Sequence, residues 1–156
     1  MASHLRGERK EQGMKHTWEL RGRAIRAGEA AGEALVSSAP IGFLGGVDPD
    51  SGVVLETAHP LQGQSVAGRV LVFPTGKGST VGSYTILRLK RAGCAPAAII
   101  NAESEAIVAV GAIISDIPMV DRIAVEAIRD GDWVEVHGDS VTVTRHVTDQ
   151  TDSLHE

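Results

Sequence analysis

Val70-Leu-Val-Phe-Pro-Thr-Gly-Lys-Gly-Ser-Thr-Val-Gly-Ser-Tyr84 reads as a strand, a glycine-rich turn and the start of a helix. Val70 to Phe73 are β-branched, apolar and aromatic types that suit a buried strand, and Pro74 ends the ladder because it has no N–H to give. Gly76 and Gly78 supply the turn. From Thr80 onward Val81, Tyr84, Ile86, Leu87 and Leu89 recur near helical spacing, and Gly93 stands where a left-handed C′ residue closes a helix. Ser79 therefore falls at or next to the N-cap, where free N–H groups and the positive helix end favour an anion. The same end lowers the free energy of negative charge on a serine oxygen. Serine is also among the commonest capping residues, so a purely structural role competes with a chemical one.

Two phosphate motifs share this strand, loop and helix order, and neither fits. A P-loop needs Ser or Thr directly after Gly-Lys, but Gly78 follows Lys77. A dinucleotide fingerprint wants Gly or Ala where Val81 stands, and an acidic residue about twenty positions on, where Asn101 and Glu103 are approximate substitutes.

At 156 residues, with 42% hydrophobic content, the chain has the length and apolar material for one globular domain. Aromatic content of 3% leaves no stacking platform for single-stranded nucleic acid, and a net charge of −5 argues against a nucleic-acid surface. Cys94 is the only cysteine, which excludes an internal disulfide and a Cys-rich metal site within the chain. The six histidines, His4, His16, His59, His137, His146 and His155, have no ligand spacing. No metal site is expected on this chain. The longest apolar run, Ala106 to Ile114, is a core segment by length rather than a membrane span, and residues 1–10 contain no secretory apolar core, so the expected compartment is the cytoplasm.

Residues 1–16 read as a mobile leader, 17–147 as the folded domain and 148–156 as an acidic flexible tail. Trp18, Leu20 and Ala24-Ile25 read as a first strand and Gly32–Ser37 as a second, with Gly28 turning between them in a hairpin-like opening. Ala39 to Gly52 forms a loop rich in Gly and Pro that carries Phe43, Leu44 and Val47, either packed under a neighbour or exposed as a binding surface. Phe43 and Leu44 are expected on that surface. Asp48-Pro-Asp-Ser-Gly52 is β-turn chemistry, and Val53–Leu55 resumes strand character. Ala97–Asn101 reads as the parallel strand completing a βαβ unit, with Asn101 on the sheet edge that also carries Ser79. Glu103–Ile114 is a helix apolar on most sides and hence expected to be sandwiched. Pro118–Val120 is a short strand, and Trp133–His137 with Ser140–Thr144 is a hairpin around a type II′ Gly138-Asp139 turn.

Taken in order, Gly42-Phe-Leu-Gly-Gly-Val-Asp48, Gly68-Arg-Val-Leu-Val-Phe-Pro74, Gly76-Lys-Gly-Ser-Thr-Val-Gly-Ser-Tyr84, Ala95-Pro-Ala-Ala-Ile-Ile-Asn101 and Ala109-Val-Gly-Ala112 resemble the aconitase X small-subunit, or swivel-domain, family. The resemblance spans about Arg21 to Val136. It implies an α/β fold, a swivelling β/β/α domain like the mobile C-terminal domain of aconitase, that closes over an iron–sulfur cluster held by a large partner subunit. The implied activity is that of a hydro-lyase active only as a heterodimer. Ser79 would be the proton acceptor, and Lys77, Gly78 and Thr80 would contact the anionic substrate, with Asp48 and Asn101 as secondary candidates. The two-subunit form implies mevalonate 5-phosphate as substrate, in a modified mevalonate route of isoprenoid biosynthesis. Single-chain relatives act instead on cis-3-hydroxy-L-proline. A non-catalytic module binding an anionic metabolite at the same helix end is the reading from another class.

Overall fold

A computed structural model of the chain describes residues 15–146, so the expected leader and tail lie almost wholly outside the described residues. Eight strands are β1 (Lys15–Arg21), β2 (Arg23–Arg26), β3 (Glu29–Val36), β4 (Val70–Phe73), β5 (Ala98–Asn101), β6 (Met119–Asp121), β7 (Trp133–His137) and β8 (Ser140–His146). Among the described residues two α-helices, α1 (Gly82–Arg91) and α2 (Ala106–Ile114), connect β4 to β5 and β5 to β6. The sheet order is β1-β8-β7-β3-β4-β5-β6-β2. Its centre, β3 to β6, is parallel, while β7, β8, β1 and β2 pair antiparallel.

The expected opening hairpin is absent. β1 pairs with β8 and β2 with β6, so one extended segment split at Gly22 supplies both ends of the sheet order and curls it back on itself. A Cβ at Gly22 would lie 2.1 Å from the Asp121 carbonyl oxygen, which is why the crossing point between the two edges has no side chain.

Side-chain alternation divides the core into two layers. Val70 and Val72 of β4, with Ala98 and Ile100 of β5, meet Val134, Val136, Val141 and Val143 of the β7–β8 hairpin. Leu71, Phe73, Ile99 and Met119 point the other way, onto Ile86 and Leu89 of α1 and Val108 and Ala112 of α2. The result is the expected β/β/α layering. The hairpin turn also fits its sequence, since Gly138 has φ 64° and Asp139 does not adopt a positive φ.

Other expectations change. Val53 and Val54 make isolated bridges, to Ser65 and Val47, instead of a strand. Phe43 is only 2% exposed and packs edge-on to Phe73 with ring centroids 6.3 Å apart, so it belongs to the core, whereas Leu44 is 50% exposed as expected. Helix α2 is not sandwiched within the described residues. It buries Val108, Gly111 and Ala112 but leaves Val110, Ile113 and Ile114 each 43–48% exposed. Among the described residues no helix is long and apolar enough to cross a membrane.

Candidate functional site

The glycine turn hangs from the carboxyl end of β4 and is fixed from two sides. The Pro74 carbonyl accepts the N–H groups of Ala102 and Glu103, both at 3.1 Å, which ties it to the end of β5. On the other side Ile41 bridges Gly76 in parallel, and the Lys77 N–H donates to the Ile41 carbonyl at 3.1 Å. A Cβ at Gly76 would lie 2.5 Å from Val108 Cγ2 and 2.7 Å from Glu105 Oε1, so the absence of a side chain lets the start of α2 approach. Gly78 serves a different need. Its φ of 102° is a backbone conformation that L side chains rarely adopt.

Ser79 stands further from the helix than the sequence suggests. The N-cap is Val81 and α1 begins at Gly82, because Ser79 and Thr80 are taken up by a tight lead-in turn in which the Gly82 N–H donates to the Ser79 carbonyl at 2.9 Å. The Ser79 hydroxyl oxygen nevertheless accepts the Val81 N–H at 3.1 Å, so it still satisfies a donor at the helix entrance. The Lys77–Val81 stretch is exposed throughout. The N–H groups of Gly78, Ser79 and Thr80 donate to no group among the described residues. Three successive free donors beside a helix N-terminus can cradle an anion and stabilise charge on the Ser79 oxygen.

Lys77 is partnered by a residue that sequence reading did not single out. Its Nζ donates to Glu56 Oε2 at 2.9 Å, and this hydrogen bond holds the Glu56 carboxyl below the ordinary carboxylate range despite some desolvation. The two line a shallow pocket with Gly42, Gly45, Gly46 and Gly78, one step from Ser79. Glu56 lies 21 residues before Lys77 in an irregular segment, where no periodicity or motif marks it. On the other side of the turn Thr80, Val81, Tyr84, Ile107 and Val110 line an apolar groove between α1 and α2.

The two secondary candidates are not brought into this site. Asp48 accepts the Asp50 N–H at 2.9 Å in its own β-turn, in the loop whose Pro49 carbonyl accepts the Cys94 thiol beyond the C-terminal end of α1. The Asp48 carboxylate is thus taken up by its own turn, and Asp48 is not among the residues that line the Lys77 pocket, although Gly46, two positions before it, is. Asn101 is at the expected sheet edge but fully buried, its amide donating to the carbonyls of Phe73 at 3.0 Å and Ile100 at 3.1 Å. Its position braces β4 against β5 beneath the turn. A larger hollow bordered by Glu33, Trp133, Thr144 and Arg145 lies along β3, β7 and β8 and contains none of the candidate residues.

The described residues do not fit an iron–sulfur cluster or another bound metal. No group of three His, Cys, Asp or Glu among them is placed to hold an ion. Cys94 is buried, and desolvation, with the nearby charges of Asp50 and Asp48, pushes its thiol up, away from the thiolate that a cluster needs. What the site offers is a hydroxyl, an ammonium and free backbone N–H groups.

Fold and turn together define a swivel-type β/β/α domain with a serine presented at a helix entrance. Residues 19–145 match the family model described as the aconitase X swivel domain, and the chain belongs to that family. It is 58% identical over 123 residues to the phosphomevalonate dehydratase small subunit of Methanosarcina acetivorans, covering 77% of this chain and 85% of that protein. It is 56% identical over 122 residues to the small subunit of the same name from Thermococcus kodakarensis, covering 78% of this chain and 92% of that protein. Among solved structures, the holo-form of Thermococcus kodakaraensis aconitase X aligns with a TM-score of 0.79 and 52% identity, over 81% of this chain and 98% of that chain.

Proposed function

We propose that this chain is the small subunit of a phosphomevalonate dehydratase, a hydro-lyase converting mevalonate 5-phosphate to trans-anhydromevalonate 5-phosphate in complex with a large subunit. The observation that carries the reading is the exposed Ser79 turn, set in a chain more than half identical to small subunits of that name. In this reading Ser79 Oγ takes a proton from the carbon next to the one bearing the hydroxyl. The C–H electron pair becomes the new double bond and the C–O bond breaks with its pair going to oxygen. The departing hydroxide and the proton taken up by Ser79 together make up the water released. Serine is a poor base unless its oxyanion is stabilised, and the Val81 N–H already donates to that oxygen at the positive end of α1. Lys77 and the free N–H groups of Gly78 and Thr80 face the substrate's anionic groups. An iron–sulfur cluster, which the family implies, belongs in this reading to the large subunit.

A partner is also favoured by the apolar surface beside the turn. Leu44, Val81, Tyr84, Val110, Ile113 and Ile114 are all substantially exposed, and the last three lie on a helix with no charged residue. Such a face costs free energy in water and is the kind that a stable subunit contact covers. The test is co-expression with the large subunit. The two chains should co-purify and dehydrate mevalonate 5-phosphate, whereas Val110→Asp should weaken co-purification about tenfold or more with little loss of thermal stability, since it puts a charge into a contact core. An assembled wild-type complex that leaves mevalonate 5-phosphate unchanged but dehydrates cis-3-hydroxy-L-proline would replace the substrate. Failure of the two chains to associate would leave the anion-binding module as the reading.

A further inference from the structure

We infer that Glu56 is a positioning residue for substrate binding, holding the Lys77 ammonium over the pocket beside Ser79; this rests on the proposed role of Lys77 toward the substrate's anionic group. Lysine carries its charge on a flexible four-carbon stem, so an exposed Lys77 left alone would spread over many rotamers and lose entropy on each binding event. Glu56 removes that freedom in advance. Its Oε2 accepts Lys77 Nζ at 2.9 Å, with the two side chains 35% and 47% exposed.

Both ends of the pair are themselves fixed. The Lys77 N–H is held by the Ile41 carbonyl, while next to Glu56 the Leu55 N–H donates to the Gly46 carbonyl at 2.8 Å. A Cβ at Gly46 would lie 2.0 Å from the Gly42 carbonyl oxygen and 3.8 Å from Glu56 Oε1, so the glycine loop closes against the carboxylate with no room for a side chain at its base. A pair this exposed contributes little to fold stability, which leaves its geometry, poised one residue from the Gly78–Thr80 donors, as its consequence. The ammonium has three N–H donors, and the contact with Glu56 uses one, so an arriving phosphate or carboxylate can share the cation without displacing the acid.

The test uses the assembled two-chain enzyme with mevalonate 5-phosphate, comparing Glu56→Gln, Glu56→Asp, Lys77→Ala and the double variant E56Q/K77A. Lys77→Ala should raise KM about tenfold or more, the loss of a charge-assisted hydrogen bond. Glu56→Gln should raise KM about three- to tenfold with kcat within about twofold, as expected when ground-state and transition-state binding are lost together. Glu56→Asp should recover part of that loss. The double variant should match Lys77→Ala alone, because Glu56 acts only through Lys77. A fall in KM for Glu56→Gln, the sign of simple charge repulsion, overturns the inference, as does an effect that persists in the Lys77→Ala background. Loss of association with the large subunit in Glu56→Gln also overturns it, since it would make the residue structural. If Lys77→Ala leaves KM unchanged, the role of Lys77 falls and the inference falls with it. If Lys77→Ala alone raises KM, only Glu56 is misassigned.

Discussion

Replacing Ser79 separates a proton acceptor from a turn-forming residue, because the structure makes the two consequences very different in size. Among the described residues the hydroxyl oxygen makes one hydrogen bond, accepting the Val81 N–H at 3.1 Å on an exposed stretch where water can substitute. Ser79→Ala should therefore cost about 0.5–1 kcal/mol of stability, or roughly 2–4 °C in Tm for a domain of this size. Ser79→Asn should recover most of it, since an asparagine side chain closes the same local turn. Turnover is expected to behave otherwise. Removal of a general base lowers kcat about 10²- to 10⁴-fold, and asparagine cannot take the proton, so both variants should assemble normally and be nearly inactive. Melting curves, co-purification and a dehydration assay on the same preparations read all three quantities. A Ser79→Asn complex within a few fold of the parent rate would refute the proton-acceptor role and leave the turn as an anion cradle. A Tm loss several times larger than expected would instead point to collapse of the lead-in turn.

The α1–α2 contact depends on Gly111, where an added Cβ would lie 2.6 Å from Ile86 Cδ1 and 3.1 Å from Ile86 Cβ. Gly111→Ala should lower stability by about 1–3 kcal/mol through overpacking, read as a fall in Tm, and an unchanged melt would mean that the helices slide apart freely. Acid sensitivity is expected from Asp132. Burial works against its charge, but hydrogen bonds from Arg145, 2.7 Å away, and from the Arg129 N–H prevail and hold its carboxyl low. A carboxyl lowered by folding contributes stability above its unfolded pKa of about 4, and that contribution is lost as pH falls through the folded value. Asp132→Asn, which leaves Arg145 without its charge partner, should lose about 3 kcal/mol near pH 7 and show a shallower decline in Tm between pH 5 and pH 2. An equally steep decline in the variant would assign the acid response elsewhere, with the Arg23-bound Asp121 the next group to test.

What the sequence determined by itself is local and repetitive. Val70 to Phe73 had to be a buried strand, the Gly93 turn had to close α1, and Gly138-Asp139 had to turn the β7–β8 hairpin, because each follows from backbone preferences within a few residues. Gly93 fulfils this with a φ of 77° while its N–H reaches the Lys90 carbonyl and that of Cys94 the Leu89 carbonyl. The order of glycine motifs pointed to the swivel family and to Ser79. Tertiary structure alone decided which strands are neighbours. The segment around Gly22 pairs at both ends of the sheet because partners more than 90 residues away reach it, and no local preference encodes that. It also decided that Phe43 fills the space beside Phe73 while Leu44 stays outside, and that α2, apolar nearly all round, is covered on one face only by the described residues. The same holds at the site. Ser79 and Lys77 are legible in the glycine turn, whereas Glu56 is joined to them only when the chain between Gly42 and Leu55 folds back on itself, since an ion pair between distant positions leaves no periodicity in the sequence.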